Sequence, residues 1–362
     1  MIRLGVIGVG ANVFSMHAKA IEAHASAIEV VGVADINLSA AEQRAESFGC
    51  PYFSDHRALL AETHPDAVAI VTPHPFHAAI AIDCMQAGTH VLVEKPIAVE
   101  VAEADRMIAA ASQTNRLLAV NLQHRTRAVI RTAKKLIAAG RLGEIQRVQM
   151  TAIWTRTRRY YELADWRGTW RGEGGGVLMN QSPHTLDVIC HLAGQPSLVA
   201  AWNRTTFHAI ETEDTSVAML EWPHHAIGTL IVSTAQAGDP ERLEIAGTRG
   251  VLQVTNGNLT FGESSTDLRD FLAESDNPFG KLALESRDVE LEAGGGDHTA
   301  IYANFIDAIE AGAGLVADGA EARLSLELAN ALIYSSATNQ QVALPLDRAA
   351  YSVLMDRLRG VP

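Results

Sequence analysis

The stretch IRLGVIGVGANVFSMHAKAI, residues 2–21, decides the fold. A short run rich in β-branched residues, Ile2 to Ile7, leads through Gly8-Val9-Gly10-Ala11-Asn12-Val13 into a segment of helical period that reaches Ile21. Strand, glycine turn and helix in that order open a βαβ unit. Glycines keep the turn tight and let a pyrophosphate approach the free N–H groups at the helix N-terminus. Position 13 carries valine where a third small residue is usual. Working outward, Ile28 to Ala34, Ala67 to Val71, His90 to Val93 and Leu117 to Val120 are further short β-branched runs, as strands buried on both faces should be. Between them, segments such as 75 to 87 and 100 to 114 are long enough for crossover helices. This alternation predicts a doubly wound parallel α/β sheet of Rossmann type. The second strand ends at Asp35, 25 residues past Gly10. A carboxylate there accepts from a ribose 2′-hydroxyl and repels a 2′-phosphate. Ile36, Asn37 and Leu38 offer no arginine to hold that phosphate, so NAD is expected in preference to NADP.

The pattern changes after Asn121. One more helical stretch, 126 to 139, ends at Gly140, and strand-like runs then dominate at 145 to 154, 197 to 207, 215 to 222, 227 to 234, 242 to 247 and 251 to 255. Turn signals at Trp222-Pro223 and Asn256-Gly257 predict hairpins in a mainly antiparallel open sheet. The segments 298 to 312 and 319 to 338 read as helices that pack on either sheet, and 294 to 296 as a surface loop. The expected division is therefore an NAD-binding domain over 1–122 and an α+β substrate-binding and oligomerisation domain over 123–362. The 362 residues carry a net charge of −13, which disfavours a nucleic-acid partner. No apolar run has the length of a membrane span, and no export leader precedes the first strand. Cys50, Cys84 and Cys190 are too scattered for a disulfide framework, which fits a cytoplasmic protein.

Two later segments narrow the reading. Residues 70 to 96, IVTPHPFHAAIAIDCMQAGTHVLVEKP, resemble the Thr-Pro, His, Ala-Gly-x-His-Val and Glu-Lys-Pro signature of the glucose-fructose oxidoreductase, inositol dehydrogenase and rhizopine catabolism (Gfo/Idh/MocA) family. Residues 174 to 187, GGGVLMNQSPHTLD, resemble that family's Gly-Gly-Gly and Asp-x-x-x-His-x-x-Asp segment. The resemblance implies a nicotinamide dinucleotide on the first domain and a C-terminal sheet domain that closes the site and commonly forms a dimer or tetramer. The implied substrate is a sugar or cyclitol hydroxyl of the inositol, L-glucose or levoglucosan type. It makes Lys95 the lysine that contacts the reacting hydroxyl and His184 the acid-base histidine. Thr72, Pro73, His74 and His77 would line the cofactor side, and Glu94 would lie beside the nicotinamide and Lys95.

The chemistry sets its own requirements. Removing a hydride from a carbinol requires the hydroxyl proton to leave, so a base must lie within hydrogen-bond reach of that oxygen. Histidine suits this at neutral pH. Lysine either polarises the oxygen as a cation or acts as a base once its pKa is depressed. Asn180 stands where the family signature has aspartate; an amide can orient a substrate but cannot take its proton. If 177 to 193 is one helix, Asn180, His184, Asp187 and His191 share a stripe, with Asp187 available as a substitute carboxylate. Pro183 is expected to start or kink that helix. Asn121, Gln123 and Arg125 follow the fifth strand and should reach nicotinamide or sugar. Arg156, Arg158, Arg159, Arg167 and Arg171 crowd a segment that also holds Trp166, and Trp166-Arg167 resembles a substrate loop of the family. A subunit interface is the competing reading of that cluster. Two alternatives remain open here: an NAD-bound sensor without turnover, and a metal enzyme using His74 and His77 or His184 and His191, for which a third ligand is lacking.

Overall fold

A computed structural model describes residues 1–10, 13–238 and 241–361; Ala11 and Asn12, both expected at the cofactor turn, lie outside the described residues. The first sheet contains β1 (Ile2–Ile7), β2 (Ile28–Ala34), β3 (Tyr52–Phe53), β4 (Ala67–Ile70), β5 (His90–Val93) and β6 (Leu118–Val120). They run in the order β3-β2-β1-β4-β5-β6, parallel at every pairing. Its crossovers are α1 (Phe14–Ala23), α2 (Leu38–Phe48), α3 (His56–Thr63), α4 (His77–Gln86) and α5 (Val101–Thr114). All four residues of β4 are buried, as a strand covered by helices on both faces requires.

The second sheet contains β7 (Ile145–Ile153), β8 (Leu198–Arg204), β9 (Thr215–Glu221), β10 (Ile227–Ser233), β11 (Glu241–Gly247), β12 (Gly250–Thr255), β13 (Asn258–Glu263), β14 (Glu285–Asp288) and β15 (Val342–Ala343). Their order is β14-β13-β12-β11-β7-β10-β9-β8-β15. Hairpins account for most neighbours and β7 and β10 pair in parallel, so the sheet is mainly antiparallel, as expected. One face is covered by α6 (Ala128–Ala138), the short α8 (Val177–Asn180), α9 (Pro183–Ala193) and α12 (Gly319–Thr338); α7 (Arg158–Tyr161), α10 (Leu268–Glu274), α11 (His298–Ala311) and α13 (Arg348–Leu358) are the remaining helices. On the other face Trp202, Val217, Met219 and Ile227 are exposed.

The late helices return to the first sheet. Ile301, Tyr302, Phe305 and Ile306 of α11 are buried in one cluster with Leu4 and Val6 of β1 and Phe14 and Ile21 of α1. At roughly 1.5–3 kcal/mol for each large apolar side chain removed from water, this contact binds the chain's end firmly to its beginning. Helix α12 packs on both α5 and β8, so it bridges the two sheets. The glycines at 294–296 do not hang free: Gly296 N–H donates to Thr126 Oγ1 at 2.7 Å, and Arg131 holds the Gly294 carbonyl at 3.1 Å. No helix among the described residues is long and apolar enough to cross a membrane.

Candidate active site

The carboxyl ends of β1, β2, β4, β5 and β6 face one crevice, the place where open α/β sheets bind ligands. At its cofactor end Gly8 has φ +90°, and a Cβ there would lie 2.8 Å from the Thr72 main-chain nitrogen. Only glycine lets the β1 turn pass so close to the β4 turn. Asp35, past the end of β2, accepts from Gly10 N–H through Oδ2 and from Asn37 N–H through Oδ1, both at 2.8 Å. The carboxylate is thereby fixed beside the glycine turn with lone pairs to spare. Val13 precedes α1 and supplies no side-chain cap to it.

Buried polar atoms without a protein partner mark the rest of the crevice. Thr72 Oγ1, Asn121 Oδ1, Gln123 Oε1, His124 Nδ1 and His184 Nδ1 are all of this kind. Buried polar groups are normally paired, so five orphans at one sheet edge fit a polar ligand such as a nicotinamide and its substrate. Pro73 opens a tight 3-10 turn, His74–Phe76, that carries His74 to the crevice, where burial, with His77 and Lys95 adding to it, lowers its pKa to about 3. His77 differs from expectation. Its Nδ1 and Nε2 lie 2.9 Å from the Pro96 carbonyl and 2.8 Å from the Thr72 carbonyl, so it ties two turns together beneath the pocket.

Glu94 is also buried beneath the crevice. Its Oε1 accepts from Asn121 Nδ2 and lies 2.9 Å from His17 Nε2 and 3.2 Å from His298 Nε2, while Oε2 accepts the Lys95 N–H at 3.1 Å. Burial alone would raise its pKa, but the two histidines outweigh this and hold it well below the usual carboxylate range. His17 in turn meets the Tyr302 hydroxyl at 3.0 Å. His17, Glu94 and His298 are the group of three among the described residues close enough to share a metal ion; the histidine pairs considered from sequence are not in it. These partners come from α1 and α11, up to 285 positions apart, with no local motif to announce them.

Lys95 extends from the end of β5 and donates through Nζ to the Asn180 main-chain carbonyl at 2.9 Å. Burial pushes its ammonium below the usual range, opposed by Glu94 and Glu173. The Asn180 side-chain amide donates to Glu173 Oε1. Glu173 is 1% exposed and also accepts the Gly168 N–H at 2.6 Å. The sequence signal for it is an acidic residue directly before Gly174-Gly175-Gly176, which the motif reading above does not use. The last of these glycines is obligatory, because a Cβ at Gly176 would lie 1.8 Å from the Glu213 carbonyl oxygen.

Pro183 starts a new helix, as expected, so 177 to 193 forms α8 and α9 rather than one helix. Asn180 closes the first piece, and His184 is the second residue of the next. The His184 ring stacks on His124, centroids 4.2 Å apart and 18° from parallel. Burial, reinforced by His124 and Lys95, holds its pKa well below the usual histidine value. Arg125 and Asp187 do not present themselves to a ligand. They form a buried bidentate pair at 2.8 and 2.7 Å, with Arg125 also bonded to Glu321 and, at 2.9 Å, to the Val316 carbonyl. This corrects the expectation that either one contacts substrate, and Asp187 is no substitute carboxylate for His184. The arginine cluster likewise divides. Arg167 stacks on Tyr160 and Trp166, 4.5 and 4.6 Å from the ring centroids, and reaches Glu173 at 3.9 Å. Trp166 meets His74 edge-on at 6.2 Å. Arg158 is exposed and pairs with Glu162, and Arg171 donates to the Arg359 carbonyl.

The chain is similar to known proteins over nearly its whole length. Residues 2–122 match the family model described as "Oxidoreductase family, NAD-binding Rossmann fold", and residues 130–253 match the GFO/IDH/MocA C-terminal domain. The chain is 26% identical to D-glucoside 3-dehydrogenase of Escherichia coli K12, over 95% of its own length and 97% of that protein. It is 26% identical to inositol 2-dehydrogenase of Rhizobium meliloti, over 95% of its length and 99% of that protein. The crystal structure of the WlbA dehydrogenase from Bordetella pertussis, in complex with NADH and UDP-GlcNAcA, superposes with TM-score 0.81 at 31% identity, covering 96% of this chain and 99% of that one. The chain belongs to the Gfo/Idh/MocA family of NAD-binding oxidoreductases.

Proposed function

We propose that the protein is an NAD-dependent dehydrogenase that oxidises a CH–OH group of a sugar or cyclitol. The observation that carries this is the convergence of Lys95 Nζ, the Asn180 amide and an unpaired nitrogen of His184 around orphaned polar atoms at the edge of an NAD-binding sheet. NAD, when bound, supplies the hydride acceptor. The chain's own residues handle the proton. His184 is kept neutral by burial and takes the hydroxyl proton, and the Lys95 ammonium donates to the same oxygen as it becomes a carbonyl. Asn180 and Arg167 hold neighbouring substrate hydroxyls, with Trp166 as an apolar wall. In this reading residues 1–122 hold the cofactor and 123–362 supply the polyol pocket.

The test is NADH formation from a panel of inositols, aldoses, anhydrosugars, uronic acids and UDP-GlcNAcA. Turnover on at least one is expected. NAD binding without turnover on any supports the alternative, a sugar sensor of the same fold, which Asn180 in place of aspartate favours.

Asp35 sets the cofactor preference in this reading. Asp35→Ser removes the charge opposing a 2′-phosphate and should raise the NADP-to-NAD ratio of kcat/KM by about tenfold or more, equivalent to about 1.4 kcal/mol. An unchanged ratio would remove Asp35 from cofactor selection.

We further place the enzyme in the cytoplasm as a homo-oligomer, a dimer or tetramer, joined through the open face of the second sheet. There Trp202 pairs across strands with Val217, and Ile227 with Glu221, in one exposed apolar patch that includes Met219. Met219→Asp should give a monomer in sedimentation, since one buried charge costs several kcal/mol.

A further inference from the structure

Asn180 has no charge, and the structure sets one against it from elsewhere in the chain. Glu173 Oε1 accepts the Asn180 side-chain amide, while the Asn180 main-chain carbonyl accepts Lys95 Nζ at 2.9 Å. Lysine and glutamate are thus gripped by the two ends of one residue. The charged and titratable groups facing Lys95 come from five places: Glu94 beside it on the β5 turn, Glu173 and Arg167 on the loop before α8, His74 after β4, His124 after β6 and His184 on α9. Burial holds all three histidines below their usual range. Of the two anions, Glu94 already answers His17, His298 and Asn121. Glu173 answers the Gly168 and Asn180 N–H groups and, at 3.9 Å, Arg167. Tyr160 closes this side, accepting from Arg167 at 2.6 Å and from Gln181 at 2.8 Å.

We propose that Glu173 is a positioning residue for the reaction: its carboxylate, acting through the Asn180 amide, fixes the Lys95 ammonium and keeps it charged opposite the reacting oxygen. The inference rests on the dehydrogenase reading. It gives the site the negative charge that residue 180 lacks, from a position seven residues earlier. It also accounts for a carboxylate buried beside a cationic cluster, where an anion without a cationic partner would be costly.

The test reads Lys95 directly. Full-length protein is acetylated with a trace of acetic anhydride across a pH series, and the Lys95 peptide is quantified by mass spectrometry. Only the neutral amine reacts. Deleting a nearby negative charge favours loss of the ammonium proton, so Glu173→Gln should move the Lys95 midpoint to lower pH. Exposed Lys135 should not move. Glutamine preserves shape, because an Asn180 amide turned over can accept from it. Glu173→Asp, which keeps the charge, should restore the midpoint towards wild type. Glu173→Ala removes the charge without a mispaired amide and is read in the same way should the glutamine variant not fold.

Equal Lys95 midpoints in wild type and in the charge-deleting variant overturn the proposal. With an active polyol, the alkaline limb of the kcat profile should shift in the same direction as the labelling midpoint. The labelling needs no turnover, so a chain inactive on every polyol defeats the dehydrogenase reading while Glu173 is still decided, and turnover with an unmoved midpoint defeats Glu173 alone.

Discussion

His184→Ala should lower kcat for polyol oxidation by about 10²- to 10⁴-fold, the contribution of a positioned general base, while leaving the affinity for NAD nearly unchanged. The separation follows from location. His184 projects from α9 and stacks on His124, whereas the cofactor groups Gly8, Gly10 and Asp35 sit at the ends of β1 and β2. The histidine's environment also sets the pH dependence. Burial and the neighbouring His124 and Lys95 favour the neutral imidazole, so its folded pKa lies well below the ordinary ~6.5. A base must be neutral to accept a proton. Oxidation should therefore keep its rate as pH falls through the ordinary histidine range and fail only well below it, and this acid limb should vanish in His184→Ala. Steady-state kinetics over pH 4–9 with saturating NAD, together with NAD titration of the variant, check both parts. A variant with near-normal kcat would remove His184 from the chemistry.

Much of the frame behind this site was legible before any coordinates. Strands β2 and β5 fall on the predicted limits, because short runs rich in β-branched residues between helix-period segments have few other solutions. Strand β14 has the sequence Glu-Ser-Arg-Asp, fully exposed, and so carries no alternating pattern to read. The parallel pairing of β7 with β10 joins segments some eighty residues apart, and nothing local encodes it. The site divided in the same way. Lys95, Asn180 and His184 were identified from short motifs. No local motif announces their supports: His17 of α1 meets Glu94, and His298 meets Glu94 and Tyr302 meets His17 only once α11 folds back on α1. Following the strand that ends at Val120 points Arg125 at the sheet's carboxyl edge, and helical spacing puts Asp187 on the stripe of Asn180 and His184. Sequence proximity could not show that the two side chains face each other across a dry interface.

That interface carries the second large effect. Asp187→Asn should destabilise the fold by about 3 kcal/mol, because it leaves the Arg125 guanidinium buried and short of its bidentate partner. The Asp187 side chain has no exposure and Arg125 is 4% exposed, so water cannot take over the lost bonds. An asparagine can accept one N–H but turns its own N–H group against the other. Glu321 offers limited compensation, since its side chain is 53% exposed and its attraction is screened. The pair also acts as a clamp, joining α9 to the turn after β6 one helical turn beyond His184. Loosening it should disturb the His184–His124 stack, so kcat should fall alongside stability. Urea unfolding of wild type, Asp187→Asn and the paired apolar replacement Arg125→Met with Asp187→Leu separates the terms. The double variant removes both charges and should recover most of the stability, as buried ion pairs replaced together by apolar side chains commonly do. A double variant as unstable as Asp187→Asn would show that the pair itself, rather than the orphaned arginine, holds the two elements together.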